Sequence, residues 1–323
     1  MDQNVVIRKS VSQDVPQLVL LRMEFLRKNH GTEQVNKFPE LNVKTEEFIN
    51  RHINNNMNFI IAEINGEMIA VLCVFYLELL PRLASKDSKC AHMSFVYIKP
   101  QYIDEELEKS LYEYSMKNAR EKGSEVFEIN ILEKEIAQYE AAGFIDSGYP
   151  PIQLLLGNNK WGKWSYTAKN GMNMRKAGSW DILPLIDLRV QYLCEVSDIK
   201  TVKNRGDFES RVKTYLDEHL NNDLEAFVAE IDGEIISVFF MIYFDQIPEP
   251  GLVNGKTGVP INRYTRPEYR CDGLSEDLFV FAARDAENCG VEMLEMEVPK
   301  DTLPFYEKFG FEPMKTIPVQ ISL

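Results

Sequence analysis

Twelve consecutive residues, Tyr264-Thr265-Arg266-Pro267-Glu268-Tyr269-Arg270-Cys271-Asp272-Gly273-Leu274-Ser275, carry the clearest chemistry in this chain of 323. The stretch begins as a strand, turns at Arg270–Ser275 and opens an apolar helix. A Gly-containing turn between strand and helix presents several backbone N–H groups at a helix N-terminus, which suits a phosphate ligand. The N–H groups of Cys271, Asp272, Gly273, Leu274 and Ser275 can wrap such an anion, and Gly273 permits close approach. Arg270 adds a charge-assisted contact, while Tyr264 and Thr265 end the strand that leads in. A plainer reading has Asp272 capping the helix and Gly273 serving only the turn.

Composition narrows the classes that could use this turn. The chain is 45% hydrophobic and 27% charged, a globular balance long enough for two domains. A net charge of -14 argues against nucleic-acid binding and is compatible with a cationic substrate. The longest apolar runs, Ala70–Tyr76 and Ile235–Phe244, fall far short of the ~20 residues that span a bilayer. Met1 to Ser10 lack the apolar core of a signal peptide, so a cytoplasmic protein without a membrane partner is expected. Five cysteines without a CxxC spacing predict neither a disulfide framework nor a metal site.

The elements that must position the turn occur twice. Arg8-Lys9 recurs as Arg175-Lys176, and the same offset of 167 pairs Leu21-Arg22 with Leu188-Arg189. It pairs Ala62–Glu67 with Ala229–Glu234, Tyr97 with Tyr264, Tyr139-Glu140 with Tyr306-Glu307, and Gly143-Phe144 with Gly310-Phe311. A constant offset means two copies of one fold of about 150 residues. The units are residues 1–156 and 174–323, with 157–173 as linker. Each copy reads β-α-α-β-β-β-α-β-α-β, an α/β sandwich with a mixed sheet, its final strand completing its own unit. Asn65-Gly66 and Asp232-Gly233 are strong hairpin signals.

This element order resembles the GCN5-related N-acetyltransferase (GNAT) superfamily, twice over. The resemblance rests on Arg270-x-x-Gly273-x-Ser275 after the central strand and on Leu303-Pro304-Phe305-Tyr306-Glu307-Lys308-Phe309-Gly310-Phe311. It implies acetyl transfer from acetyl-CoA to an amine, with the CoA pyrophosphate in the Arg270–Ser275 turn. It further implies that Tyr306 protonates the departing thiolate; packing against the sheet would equally explain that ring.

An amine acceptor has to lose a proton. An ammonium of pKa near 10 is neutral only ~0.1% of the time at pH 7, a cost of roughly 4 kcal/mol. Glu297 and Glu295 share one face of the strand beside the expected cleft and are the candidate bases, unless they are only solvated strand residues. His30, His52, His92 and His219 lie outside the signature and read as surface residues. In the first copy Ile103, Asp104, Glu105, Glu106 and Glu108 stand where the second has Arg270, Cys271, Asp272, Gly273 and Ser275. Like charges at ~4 Å cost on the order of 1–4 kcal/mol, so that copy is expected to be structural. The alternative function is a non-catalytic CoA-binding or assembly protein. A third keeps the enzyme with a longer acyl-CoA, lined by Phe239, Met241 and Tyr243.

Overall fold

The computed structural model describes residues 5–83, 88–156, 172–270 and 273–323. The first half runs β1 (Val6–Lys9), α1 (Val15–His30), α2 (Thr32–Val35), α3 (Leu41–His52), β2 (Met57–Ile64), β3 (Glu67–Glu78) and β4 (Lys89–Ile98). It continues with α4 (Glu105–Glu121), β5 (Val126–Leu132), α5 (Ile136–Ala141), β6 (Ile145–Asp146) and β7 (Pro151–Leu155). The second half runs β8 (Asn173–Lys176), α6 (Ile182–Val196), α7 (Arg205–His219), β9 (Leu224–Ile231), β10 (Glu234–Asp245) and β11 (Lys256–Thr265). It ends with α8 (Leu274–Asn288), β12 (Met293–Glu297), α9 (Leu303–Glu307), β13 (Glu312–Pro313) and β14 (Thr316–Ser322). Residues 157–171, most of the expected linker, lie outside the described part.

The hairpins form where Asn-Gly and Asp-Gly predict them. Asn65 and Gly66 have φ of 50° and 82°, Asp232 and Gly233 51° and 82°, the doubly positive geometry of a two-residue turn between twisted strands. Each sheet is antiparallel except where β4 meets β5 and β11 meets β12. In the second half α6 and α7 cover the face that carries Val238, Phe240 and Tyr264. On the opposite face α8 and α9 pack over Phe239, Met241, Leu294 and Met296.

The final strands correct one expectation. Instead of completing its own unit, each completes the other. The described sheets run β1-β2-β3-β4-β5-β14-β6 and β13-β7-β12-β11-β10-β9-β8. Strand β14 lies antiparallel to β5 from Thr316↔Leu132 to Ser322↔Val126. Strand β7 lies against β12 from Met293↔Leu155 to Glu297↔Pro151. Ile152 and Leu154 are accordingly buried in the second core and Val319 in the first. The two strands share one alternation of apolar residues, so either sheet can seat either strand.

Loops interlock the halves as well. Ile247, after β10, is buried among α1 and α3, and Leu80, after β3, among α6 and α7. Two equivalent buried arginines tie these loops down. Arg22 Nη2 donates to the Pro248 carbonyl at 3.1 Å, and Arg189 Nη2 to the Pro81 carbonyl at 2.9 Å. Burial depresses both guanidinium pKa values to about 10, a cost borne by the hydrogen bonds across the joint.

Candidate active site

The sheet of the second half parts beside the signature turn. Strands β11 and β12 pair at Thr257↔Met293 and Gly258↔Leu294, and the pairing goes no further. A Cβ on Gly258 would lie 2.8 Å from Leu294 Cδ2 and 3.1 Å from Met241 Sδ, so a side chain at this divergence point would have to displace them. Further along β11 a bulge sets Asn262 and Arg263 opposite Phe239 alone, with Asn262 at φ 48°. The bulge sends neighbouring side chains to opposite faces. Asn262 Oδ1 accepts from Arg189 at 2.6 Å, on the α6 side, while the Arg263 guanidinium lies 4.0 Å above the Phe305 ring, on the α9 side.

The turn then enters α8 through Gly273, whose φ of 91° is a left-handed conformation that favours glycine. The N–H groups of the first turn of α8 point out of that helix end. Cys271 and Asp272 lie outside the described residues. Arg270 donates from Nε to the Thr265 carbonyl at 2.9 Å and from Nη2 to Glu195 at 2.5 Å, so it leans back over α6. The other predicted contacts are built into the body of the domain. Thr265 Oγ1 lies 2.7 Å from Ser237 Oγ, the Tyr264 hydroxyl donates to Gln191 at 3.2 Å, and Leu274 is core. Of the acids in the first turn of α8, Glu276 is paired with Lys308 at 2.6 Å.

Tyr306 sits among Phe279, Phe305 and Phe311 on the face that carries Leu294 and Met296. Burial raises its pKa, with the nearby Arg263 charge opposing, so the hydroxyl stays protonated and able to donate. Glu295 and Glu297, offset by one residue from Leu294 and Met296, emerge on the opposite face. Crowding by protein raises both carboxyl pKa values, although Glu297 is an exposed residue. Gln246 Nε2 donates to Glu295 at 2.9 Å.

Facing these carboxylates is a group that motif reasoning passed over. His92, on β4 of the first half, has Nδ1 2.9 Å from Glu128 Oε1 on β5. The histidines are not uniformly surface residues, as expected from sequence; only His30 is exposed. His52 is buried, 4.4 Å from the Phe48 ring, and His219 is 4.1 Å from Tyr215 and bonded to Asp223 at 2.7 Å. Those two are 167 apart and form a repeat pair. His92 has no such signal, because its equivalent position holds Val259.

In the first half, α4 opens with Glu105, Glu106 and Glu108, all without the Gly-led entry of α8. Among the described residues no cluster is arranged to hold a metal, and no helix is long and apolar enough to cross a membrane.

Residues 193–311 match the model of the Acetyltransferase (GNAT) family. Over that stretch the chain is similar to GNAT domains. The whole chain has a tandem GNAT fold. It aligns with a tandem GNAT protein from the clavulanic acid biosynthesis pathway over 99% of this chain and 98% of the other, at 12% identity and TM-score 0.57. A GCN5-related N-acetyltransferase from Sphaerobacter thermophilus covers 100% of this chain and 96% of its own, at 14% identity and TM-score 0.53. The GCN5-related glucosamine N-acetyltransferase region of a fungal multi-domain GH3 beta-N-acetylglucosaminidase covers 99% of this chain and 38% of that protein, at 10% identity and TM-score 0.60. These likenesses describe the fold. A search of curated proteins found no match.

Proposed function

We propose that the second half transfers an acetyl group from acetyl-CoA to an amine, and that the first half binds no CoA. The carrying observation is the parted sheet. The gap between β11 and β12 opens beside the Gly273-led end of α8 on one side and Tyr306 below. A pantetheine arm can lie in that gap as an added strand, with its pyrophosphate at the α8 N-terminus and Arg270 swinging from Glu195 to meet it. The thiol end then reaches the face of Tyr306, whose protonated hydroxyl supplies the leaving thiolate's proton. The acceptor enters from the opposite face, where Glu297 and Glu295 meet its ammonium. In α4 the acidic first turn opposes a pyrophosphate.

Acetyl-CoA should raise the melting temperature of the full chain, and Arg270→Glu should abolish the rise. No shift at millimolar acetyl-CoA sinks the reading. Binding without consumption of acetyl-CoA by any amine would favour the non-catalytic alternative.

A further inference from the structure

The joint between the halves brings a histidine of the first half toward the strand of the second half that carries the candidate bases Glu295 and Glu297. Ala91 and Met93 of β4, with Phe127 and Ile129 of β5, point into the core beneath α4. His92 and Glu128 alternate with them and emerge on the other face, toward Glu295 and Glu297 of β12. His92 and Glu128 feel each other's charge and that of both Glu295 and Glu297, with Arg82, Asp146, Glu249 and Gln246 around them. His92 and Glu128 keep 23% and 28% side-chain exposure, so solvent reaches both side chains.

Resting on the acetyl-transfer reading, we infer that His92 of the first half is the general base for the acceptor amine bound by the second half, with Glu128 as its positioning residue. An ionised carboxylate only accepts hydrogen bonds, so Glu128 fixes the proton on Nδ1 and leaves the Nε2 lone pair to receive another. Glu295 and Glu297 attract the acceptor's cationic end. His92 Nε2 takes one proton from the ammonium and passes it to bulk water. The freed nitrogen lone pair then forms the C–N bond to the thioester carbon as the C–S bond breaks. Sulfur leaves with that electron pair and takes the Tyr306 hydroxyl proton. The second nitrogen proton restores the phenol through water, and the net release is one proton per turnover.

Burial works against the imidazolium, but the hydrogen bond to Glu128 and the fields of Glu128, Glu295 and Glu297 outweigh it. The pKa of His92 therefore lies above the ordinary 6.5. As a base it must be neutral, so kcat/KM should fall as pH drops through that raised value.

The test uses the full chain with acetyl-CoA and three probe amines: spermidine, lysine methyl ester and benzylamine. His92→Gln should lower kcat/KM roughly 10²–10⁴-fold while leaving the acetyl-CoA melting shift intact. Glu128→Gln should move the acid limb to lower pH, an effect that a purely structural carboxylate would not produce. By NMR, the His92 ring signal should titrate above the ordinary value and shift when spermidine is added to the acetyl-CoA complex. Wild-type kcat/KM in His92→Gln overturns the inference. So does turnover of none of the three amines together with a His92 signal blind to spermidine. In either case, an intact acetyl-CoA melting shift leaves CoA binding standing; loss of that shift from the wild type would instead sink the proposed function.

Discussion

Neutralising Glu195 should tighten acetyl-CoA binding. In the structure Arg270 Nη2 lies 2.5 Å from Glu195 Oε2, and the two side chains are 44% and 50% exposed. An ion pair so open to water is worth about 0.2–1 kcal/mol after screening. A pyrophosphate that recruits Arg270 has to break or share that pair. Glu195→Gln removes the competitor, which corresponds to a dissociation constant about 1.4–5-fold lower. Calorimetric titration of acetyl-CoA resolves a change of that size. The gain should shrink as salt rises, because exposed charges are screened over about 8 Å at physiological ionic strength. It should also largely vanish in an Arg270→Ala background, since the two residues then no longer act through each other. An unchanged or weaker affinity for Glu195→Gln at low salt, in a variant that melts like the wild type, would refute Arg270 as a phosphate ligand.

Other outcomes follow from the site and the joint. Tyr306→Phe should lower kcat at least tenfold with acetyl-CoA affinity unchanged; stopped-flow and titration separate the two, and equal kcat would remove Tyr306 from the chemistry. Arg189→Ala strands the Pro81 carbonyl and Asn262 Oδ1, at about 1–3 kcal/mol each, but relieves the burial of a charge. A net loss of about 2 kcal/mol is expected in urea unfolding, and Arg189→Met should be milder. Fragments 1–156 and 172–323 should each be unfolded alone and gain structure on mixing, read by circular dichroism; a cooperatively folded single fragment would contradict the exchange of β7 and β14. Burial pushes the Asp181 carboxyl up, but the hydrogen bonds from Arg175, at 2.7 and 3.0 Å, the Gly178 N–H at 2.8 Å and the Arg175 charge together hold it below the ordinary 3.8. That stabilisation is present above 3.8 and lost as pH falls through the lower folded value, so Asp181→Asn should flatten the acid side of a stability profile.

Much of this arrangement was legible in the sequence because it is written locally. The offset of 167 aligned the hairpins, the helices and even Arg22 with Arg189, although nothing in the pattern told that these two arginines reach across the joint. The exchange of strands was hidden for a physical reason. Ile152 and Leu154 alternate just as Val319 and Ile321 do, and alternation specifies a face, not a partner sheet. At the site, Gly273 and Tyr306 stand out through spacing, whereas Tyr264, Thr265 and Leu274 proved to spend their side chains on the core. His92 was invisible: it belongs to the copy without the signature, has valine at its equivalent position, and gains meaning only when the other half is placed against it.

The traded strands also bear on ancestry. A single copy of this repeat, set beside its twin by a two-fold axis, would swap the same terminal strand with that twin and close as a dimer. Duplication and fusion of its gene would yield the present chain with every hydrogen bond already in place. From then on neither copy is dispensable. Deleting the acidic one would strip β7 from the sheet that holds Tyr306, so drift could erode its phosphate turn but not discard the copy.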